Sequence, residues 1–276
     1  MAEIVQLMFN FGVVLYNTSA SDVLRLVRSI DTACRHAGVD YSLTFMRNSG
    51  EHLDIPGEVT ERARIIAFKK NFGFGQGHNE IALSLANATG FYIGLNPDGF
   101  LSPWAIAAAK TWQPTSGNVY EFRQDPQEHP KVFDPDSGHT AWVSGAAFLI
   151  EMSFFRRLGF DPSFFMYCED VDLSWRVREQ GGTCIMMANA LFSHDVSDNR
   201  ESPETKARMF AGQALLARKW GSATALRTAE RRLRKIEAQY NLSKIQLPKM
   251  PQSEIRHETP TFCDFGRSGS YSATRW

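Results

Sequence analysis

The sequence predicts an α/β protein with a mainly parallel central sheet flanked by helices and a helical extension at its C-terminal end. Three observations carry this. Short apolar, β-branched runs alternate with stretches of helical spacing. Their order at the start is strand, helix, strand, the opening of a parallel doubly wound sheet. The residues after most strands are small or polar, as the ligand-binding carboxyl edge of an open sheet requires.

The elements follow in order. FGVVLYN (11–17) reads as a buried strand. Ser19 or Ser21 caps the next helix, where Val23, Leu24, Val27 and Ile30 share a face. YSLTFM (41–46) and ARIIAF (63–68) are the second and third strands. NFGFGQGHN (71–79) is a glycine loop running into a helix, and FYIGLNPDGF (91–100) is a strand ending in a turn. LSPWAIAAAKTW is a helix with Pro103 in its first turn. NVYEFRQDP (118–126) is a strand, and the polar, proline-rich stretch 124–140 is a loop free to move. WVSGAAFLI (142–150) is a strand and EMSFFRRLG a short helix ended by Gly159. FFMYCEDVDLSWR (164–176) leads aromatics into three carboxylates at a helix start, and CIMMANALFSHD (184–195) is the last strand. Residues 203–240 are helical, and 243–276 are expected to be poorly ordered or partner-dependent. The predicted division is 1–220 for the sheet domain and 221–276 for a basic helix and tail.

Composition narrows the function classes. Of 276 residues, 43% are hydrophobic and 22% charged, as in a soluble globular protein. The formal net charge is zero, but residues 1–200 hold 16 Lys and Arg against 23 Asp and Glu, and 201–276 hold 14 against 7. The basic end suits an anionic surface, membrane headgroups or nucleic acid, and equally a solvated helix. Cys34, Cys168, Cys184 and Cys263 form no CxxC pair, which argues against zinc and fits a reducing cytoplasm. No signal peptide is expected, and no apolar run approaches the roughly 20 residues of a spanning helix.

Several residues at strand ends can carry chemistry. Asp98 in LNPDG can hold a divalent cation on a diphosphate, or it can belong to an ordinary Asp-Gly turn. His194 ends another strand and would meet Asp98 at one metal, although a lone His is more often structural. The loop FGFGQGHN is neither a dinucleotide fingerprint nor a P-loop, and its helix start offers weak anion binding. Glu169 and Asp170 open a helix, where an ionised carboxylate beside a cleft can act as general base. Asp172 and Arg176 are spaced for a surface pair.

Read together, VVLYN, NFGFGQGHN, LNPD, WVSGAAFLI, GFDPSFFMYCEDVDLSWRVREQGG and the strand-end His194 resemble the family 2 inverting glycosyltransferases of GT-A fold, closest to the rhamnosyltransferase-like branch. The resemblance runs from about residue 11 to 220. It implies transfer of a sugar from a nucleotide-diphosphate donor to a hydroxyl of a glycan or lipid-linked acceptor, in bacterial surface polysaccharide synthesis. Asp170 would be the base. Asp98 and His194 would hold Mg²⁺ or Mn²⁺. Asn17, Asn48, Asn71, Gly73, Gly77, Asn79, Asn96 and Asp98 would line the donor. Glu169, Asp172, Trp142, Ser144, Gly145 and Tyr167 would bind or support the acceptor. The second strand ends in Arg47-Asn48-Ser49, where the family carries an Asp that reads the base. dTDP-rhamnose is the first donor implied, then a UDP-hexose or UDP-galactofuranose, with no nucleic-acid partner. Localisation would be cytoplasmic, peripheral at the inner membrane face, with 227–235 toward lipid. A binding-only degenerate transferase and a nucleotidyltransferase are the alternatives.

Overall fold

The computed structural model describes residues 8–48, 55, 57–126, 131–194 and 202–265. Eight strands form one mixed sheet: β1 (Phe9–Leu15), β2 (Tyr41–Arg47), β3 (Arg64–Ala67), β4 (Phe91–Leu95), β5 (Gly99–Leu101), β6 (Val119–Asp125), β7 (Ala147–Glu151) and β8 (Cys184–His194). Their spatial order is β3-β2-β1-β4-β7-β6-β8-β5. The first four are parallel, as is β6 with β8, whereas β7 runs against both neighbours and β5 against β8. Four of the seven strand pairings are parallel, three of them in the β3-β2-β1-β4 half.

Helices cover both faces. Helix α1 (Ala20–Ala37) starts at Ser19, whose side chain accepts the Asp22 N–H, and stops at left-handed Gly38. With α4 (Ala105–Thr111) it buries Phe9, Phe11, Val13, Phe45 and Ile93 on one side. A four-residue helix α2 (Gly57–Thr60) precedes β3. On the other side α3 (Phe74–Ser84), α5 (Met152–Leu158) and α6 (Glu169–Glu179) close over Tyr92, Phe148 and Ile150.

Four segments differ from the sequence expectation. The helix expected over LSPWAIAAAKTW starts only at Ala105, because Gly99–Leu101 form the unexpected strand β5 against β8. The strand expected over 142–150 begins only at Ala147. Residues 143–146 give their N–H groups to side chains instead: Val143 to Ser174 Oγ (3.0 Å), Ser144 to Glu121 Oε2 (2.7 Å), Gly145 to Asp170 Oδ2 (3.0 Å) and Ala146 to Ser144 Oγ (3.3 Å). The helical region 203–240 is two helices, α7 (Pro203–Lys219) and α8 (Ala223–Gln239), parted at left-handed Gly221 with Ser222 capping the second. The loop expected to move is pinned within its described part, because Lys131 is buried against Glu121 and residues 133 and 139 bridge to Thr140 and Ile185.

Residues 243–265 carry little regular structure, yet they lie on the body. Ile245 and Leu247 pack beside α7 and α8, and Phe262, Cys263 and Phe265 pack beside Trp175 and Trp220. Residues 266–276 lie outside the described part.

His78 of α3 is fully buried among Phe74, Tyr92, Phe148 and Phe160. Its Nδ1 pairs with the Tyr92 hydroxyl at 2.7 Å, and its Nε2 has no partner. Burial pushes its pKa down to about 3. The unfolded chain takes up this proton near the ordinary value of 6.5 and the folded chain does not. Stability is therefore complete above pH 6.5 and falls by about 1.4 kcal/mol per pH unit as the pH drops toward 3. His78→Phe should lose about 2 kcal/mol less than the native protein between pH 7 and 5, measured by urea unfolding at both values. Equal losses would show that His78 does not set the acid slope.

Candidate active site

The carboxyl ends of the parallel strands and the start of β7 share one edge of the sheet. Because β7 runs antiparallel to β4, residues that precede it reach the edge where β4 ends, and the Asn96 N–H donates to the Ala146 carbonyl at 2.8 Å. Ser144 and Gly145 thereby come beside Asn96 although they lie before their strand.

Asp98 and His194 meet for a local reason. In the β5–β8 pair, Gly99 stands opposite His194. A Cβ at Gly99 would run into the Phe192 ring and the Ser193 carbonyl, so glycine is needed for this approach. Asp98 Oδ1 then lies 3.1 Å from His194 Nε2, and the Asn96 amide lies 3.2 Å from the same nitrogen. On the other side of the ring, Nδ1 faces Gln124 Oε1 at 3.2 Å. With the Nδ1 proton donated to Gln124, Nε2 accepts the Asn96 Nδ2–H and lies beside the Asp98 carboxylate. Two acceptors converging in this way suit a cation between them. Among the described residues no three His, Cys, Asp or Glu gather at one point, so the protein alone builds no closed cage. A carboxylate, an imidazole and a neighbouring amide still fit an open Mg²⁺ or Mn²⁺ site whose other positions go to phosphate oxygens and water.

Asp170 lies in the first turn of α6. The two residues before the helix, Tyr167 and Cys168, are left-handed with φ of 71° and 68°, which costs of order 1 kcal/mol each. They turn the chain so that α6 starts at the edge. Asp170 Oδ2 accepts the Gly145 N–H (3.0 Å) and Oδ1 the Val171 N–H (2.8 Å). Glu169 is buried beside Gly75 of α3. Asp172 is fully buried and holds α6 to α7: it meets Arg176 and Lys219 at 2.7 Å and accepts the Trp220 indole N–H at 3.0 Å. The expected surface pair of Asp172 and Arg176 is thus an interior one.

The proposed donor residues form the walls of the glycine loop. Asn48 is buried, donates to Asn71 Oδ1 (2.9 Å) and the Gly73 carbonyl (3.0 Å), and accepts the Phe72 N–H (2.9 Å). Gly73 has φ of 84°, and a Cβ there would strike the Phe165 carbonyl. Gly77 packs on Val14. Asn79 exchanges two 2.8 Å hydrogen bonds with the Phe160 backbone. Asn17 is exposed with φ of 51° just beyond β1. Arg47 ends β2 with its Nε buried and without a hydrogen-bond partner. Ser49 and Asp195 lie outside the described residues. The structure thus joins Asn96, Asp98 and His194 in one group and Ser144, Gly145 and Asp170 in a second one beside it. Asn48, Asn71 and Gly73 make a third, while Asn79 is held by Phe160 instead.

The sequence reading missed Gln124, Glu121 and Lys131. Glu121 and Lys131 form an ion pair with side chains 1% and 0% exposed, and Lys131 also donates to the Trp142 carbonyl at 2.7 Å and sits 4.2 Å from the centre of the Trp142 ring. Glu121 is the acceptor for Ser144 N–H and for Gln124 Nε2 (3.3 Å). Lys131→Met leaves a buried carboxylate without its cation and should cost about 3–5 kcal/mol, read as a lowered urea midpoint. The double replacement with Glu121→Leu should recover part of that loss. An unchanged midpoint in Lys131→Met would mean that the pair does not hold this segment.

No protein-family model matches the sequence, and neither does any curated protein sequence. Solved structures match it by fold. GalNAc-T7, solved with UDP, GalNAc and Mn²⁺, has a TM-score of 0.64 at 12% identity, over 88% of this chain and 56% of that one. The mannosyltransferase PcManGT from Pyrobaculum calidifontis, solved with GDP-Man and Mn²⁺, scores 0.56 at 13% identity, over 85% and 76%. TarS from S. aureus scores 0.54 at 12% identity, over 83% and 43%. This chain spans about half the length of the GalNAc-T7 and TarS chains. The likeness shows a GT-A glycosyltransferase fold, with a mixed, curled eight-stranded sheet between helices.

Proposed function

We propose that the protein is an inverting glycosyltransferase that moves a sugar from a nucleotide-diphosphate donor to a hydroxyl of a glycan or lipid-linked acceptor. One observation carries the reading: within a GT-A fold, Asp98 and His194 converge at the sheet edge where Gly145 anchors the Asp170 carboxylate. A divalent cation held by Asp98 and His194 would neutralise the charge that builds on the departing diphosphate. GalNAc-T7 and PcManGT were solved with Mn²⁺, which favours that ion.

The chain's own residues do the rest. The clamp of Asn48, Asn71 and Asn79 sets the shape of the glycine loop against which the donor lies. The unpartnered Arg47 Nε offers a donor to the nucleotide at the position where an Asp was expected. Asp170 accepts the proton of the acceptor hydroxyl as its oxygen bonds to the anomeric carbon from the face opposite the diphosphate. The carbon–oxygen bond to the diphosphate breaks with its electron pair, and the configuration inverts. The proton passes to Asp170 late, when the attacking hydroxyl has become acidic in the transition state. Ser144, Gly145, Glu169 and Tyr167 frame the acceptor side, and buried Asp172 and Trp142 support it from behind. dTDP-rhamnose is the first donor to test, then UDP-hexoses and UDP-galactofuranose. The setting proposed is surface polysaccharide synthesis at the inner membrane face, with 227–235 toward the lipid.

Asp170→Asn should lower transfer by about 10²–10⁴-fold with a modest change in unfolding midpoint, since Asn keeps one acceptor oxygen for the two amides. Transfer at the native rate would remove Asp170 as the base. Donor binding without transfer or hydrolysis by the native protein would leave only the binding reading.

EDTA should abolish turnover, and Mn²⁺ should restore it. Gln124→Leu frees the His194 ring and should weaken Mn²⁺ binding by about 10–100-fold in calorimetry of the protein without donor. Native affinity in that variant would show that Gln124 does not position His194.

A further inference from the structure

We infer that the groove between α7 and α8 is a binding site for the phosphate headgroup of an anionic membrane lipid. This rests on the membrane-face part of the function proposed above and not on the transfer chemistry. The two helices form a hairpin in which Ala207 and Ala211 meet Leu233 and Ile236. Toward the start of α7 the hairpin opens into a cavity of about 340 Å³, the size of a small ligand site rather than of a lone ion.

The lining has two characters. Phe210 and Ile236 give an apolar wall, with Tyr240 half exposed at the rim. Arg232 and Lys235 bring positive charge, Lys206 adds a third cation that has a partner of its own, and no carboxylate is among the described residues that line the groove. Outside the groove, Glu230 draws Arg218 to 3.5 Å and Arg234 to 3.8 Å. Neither Arg232 nor Lys235 takes part in an ion pair among the described residues. Arg232 lies instead over the Phe210 ring, 5.9 Å from its centre.

Cations gathered around one apolar cavity repel each other, and an anion between them offsets that repulsion. An apolar wall continuous with the charges asks for a ligand that joins a phosphate to a greasy part. A lipid headgroup with its glycerol and first methylenes has that character, whereas inorganic phosphate uses only half of the site. The aromatic rim and basic surroundings match the bilayer interface. Among the described residues no helix is long and apolar enough to cross a membrane, so the contact is made from the surface.

The test sediments the full chain with vesicles of phosphatidylcholine, with and without phosphatidylglycerol, at physiological ionic strength. The native protein should partition onto the anionic vesicles alone. Arg232→Gln with Lys235→Gln should lower that partition about 30-fold, at about 1 kcal/mol per basic residue. Arg227→Gln with Arg231→Gln removes two exposed charges of the same helix outside the groove and should have a clearly smaller effect. Glycerol phosphate, the soluble source of the same chemistry, should compete only weakly. Equal losses in the two double variants would overturn the groove and leave a diffuse basic surface. Tight glycerol phosphate binding without vesicle binding would replace the lipid by a soluble anion. No partition of the native protein would overturn the groove and the membrane-face reading together. Transfer to a soluble acceptor should be unchanged by Arg232→Gln with Lys235→Gln, so a failed transferase assay and a failed vesicle assay stay distinct.

Discussion

Four successive backbone N–H groups, those of residues 143–146, bond to side chains rather than to a neighbouring strand. The rest of the site depends on this. A buried amide must find an acceptor, and here the acceptors come from three places: Glu121 on β6, Asp170 and Ser174 on α6, and Ser144 itself. The segment cannot relax into a longer β7 without leaving those carboxylates unmatched. It therefore fixes the distance between the central sheet and the start of α6. Its last carbonyl, that of Ala146, accepts the Asn96 N–H and carries the same constraint to the turn that holds Asp98.

A second knot keeps α6 from shifting along its axis. Lys219 of α7 reaches both Asp161 (2.6 Å) and Asp172 (2.7 Å), and Arg176 clasps Asp172 while bonding the carbonyls of Leu158 and Gly159. Burial alone would raise the Asp161 pKa, but the Lys219 hydrogen bond and charge outweigh it and hold the carboxyl below its usual range. Two carboxylates and two cations in the interior contribute little net stability. They define a single arrangement in which the strained pair Tyr167 and Cys168 has nowhere else to go. Trp220, donating to Asp172 and packed on Trp175, ties the end of α7 to the same point.

Much of this was legible in the sequence, and what was not has a common cause. Strand ends could be read from short apolar runs, which put Asp98 and His194 beyond strands, but their meeting comes from the β5–β8 pairing, which no apolar run announces. The Ser19 cap and the stop at Gly159 are local chemistry, written in adjacent residues. WVSGAAFLI looks like a strand because its composition is apolar throughout, and nothing nearby shows that Glu121 and Asp170 will take its amides. Gln124 and Glu121 are polar residues inside a strand, where an outward-facing position is the default. Lys131 sits in a polar, proline-rich loop that gives no hint of burial. The left-handed Tyr167 and Cys168 carry none of the Gly or Asn signals that mark such positions. For Ser144, Gly145 and Gln124 the deciding contact is with a residue far away in the chain: Glu121, Asp170 and His194.

Strand β6 joins the two halves of the candidate site. Gln124 orients His194, and Glu121, three residues earlier, receives Gln124, Lys131 and the Ser144 N–H. The polar path thus runs from the proposed metal ligand to the segment that holds Asp170, through side chains buried beneath the sheet edge. Each link is a hydrogen bond between groups that water does not reach, so losing one strands its neighbour rather than handing it to solvent. Perturbation at Glu121 should then be felt at both His194 and Gly145, whereas perturbation at exposed Asp98 should stay local. This asymmetry follows from burial: His194 is 1% exposed at its side chain and Asp98 is 47% exposed. The interior member of the pair is built into the fold, and the other member is left at the surface.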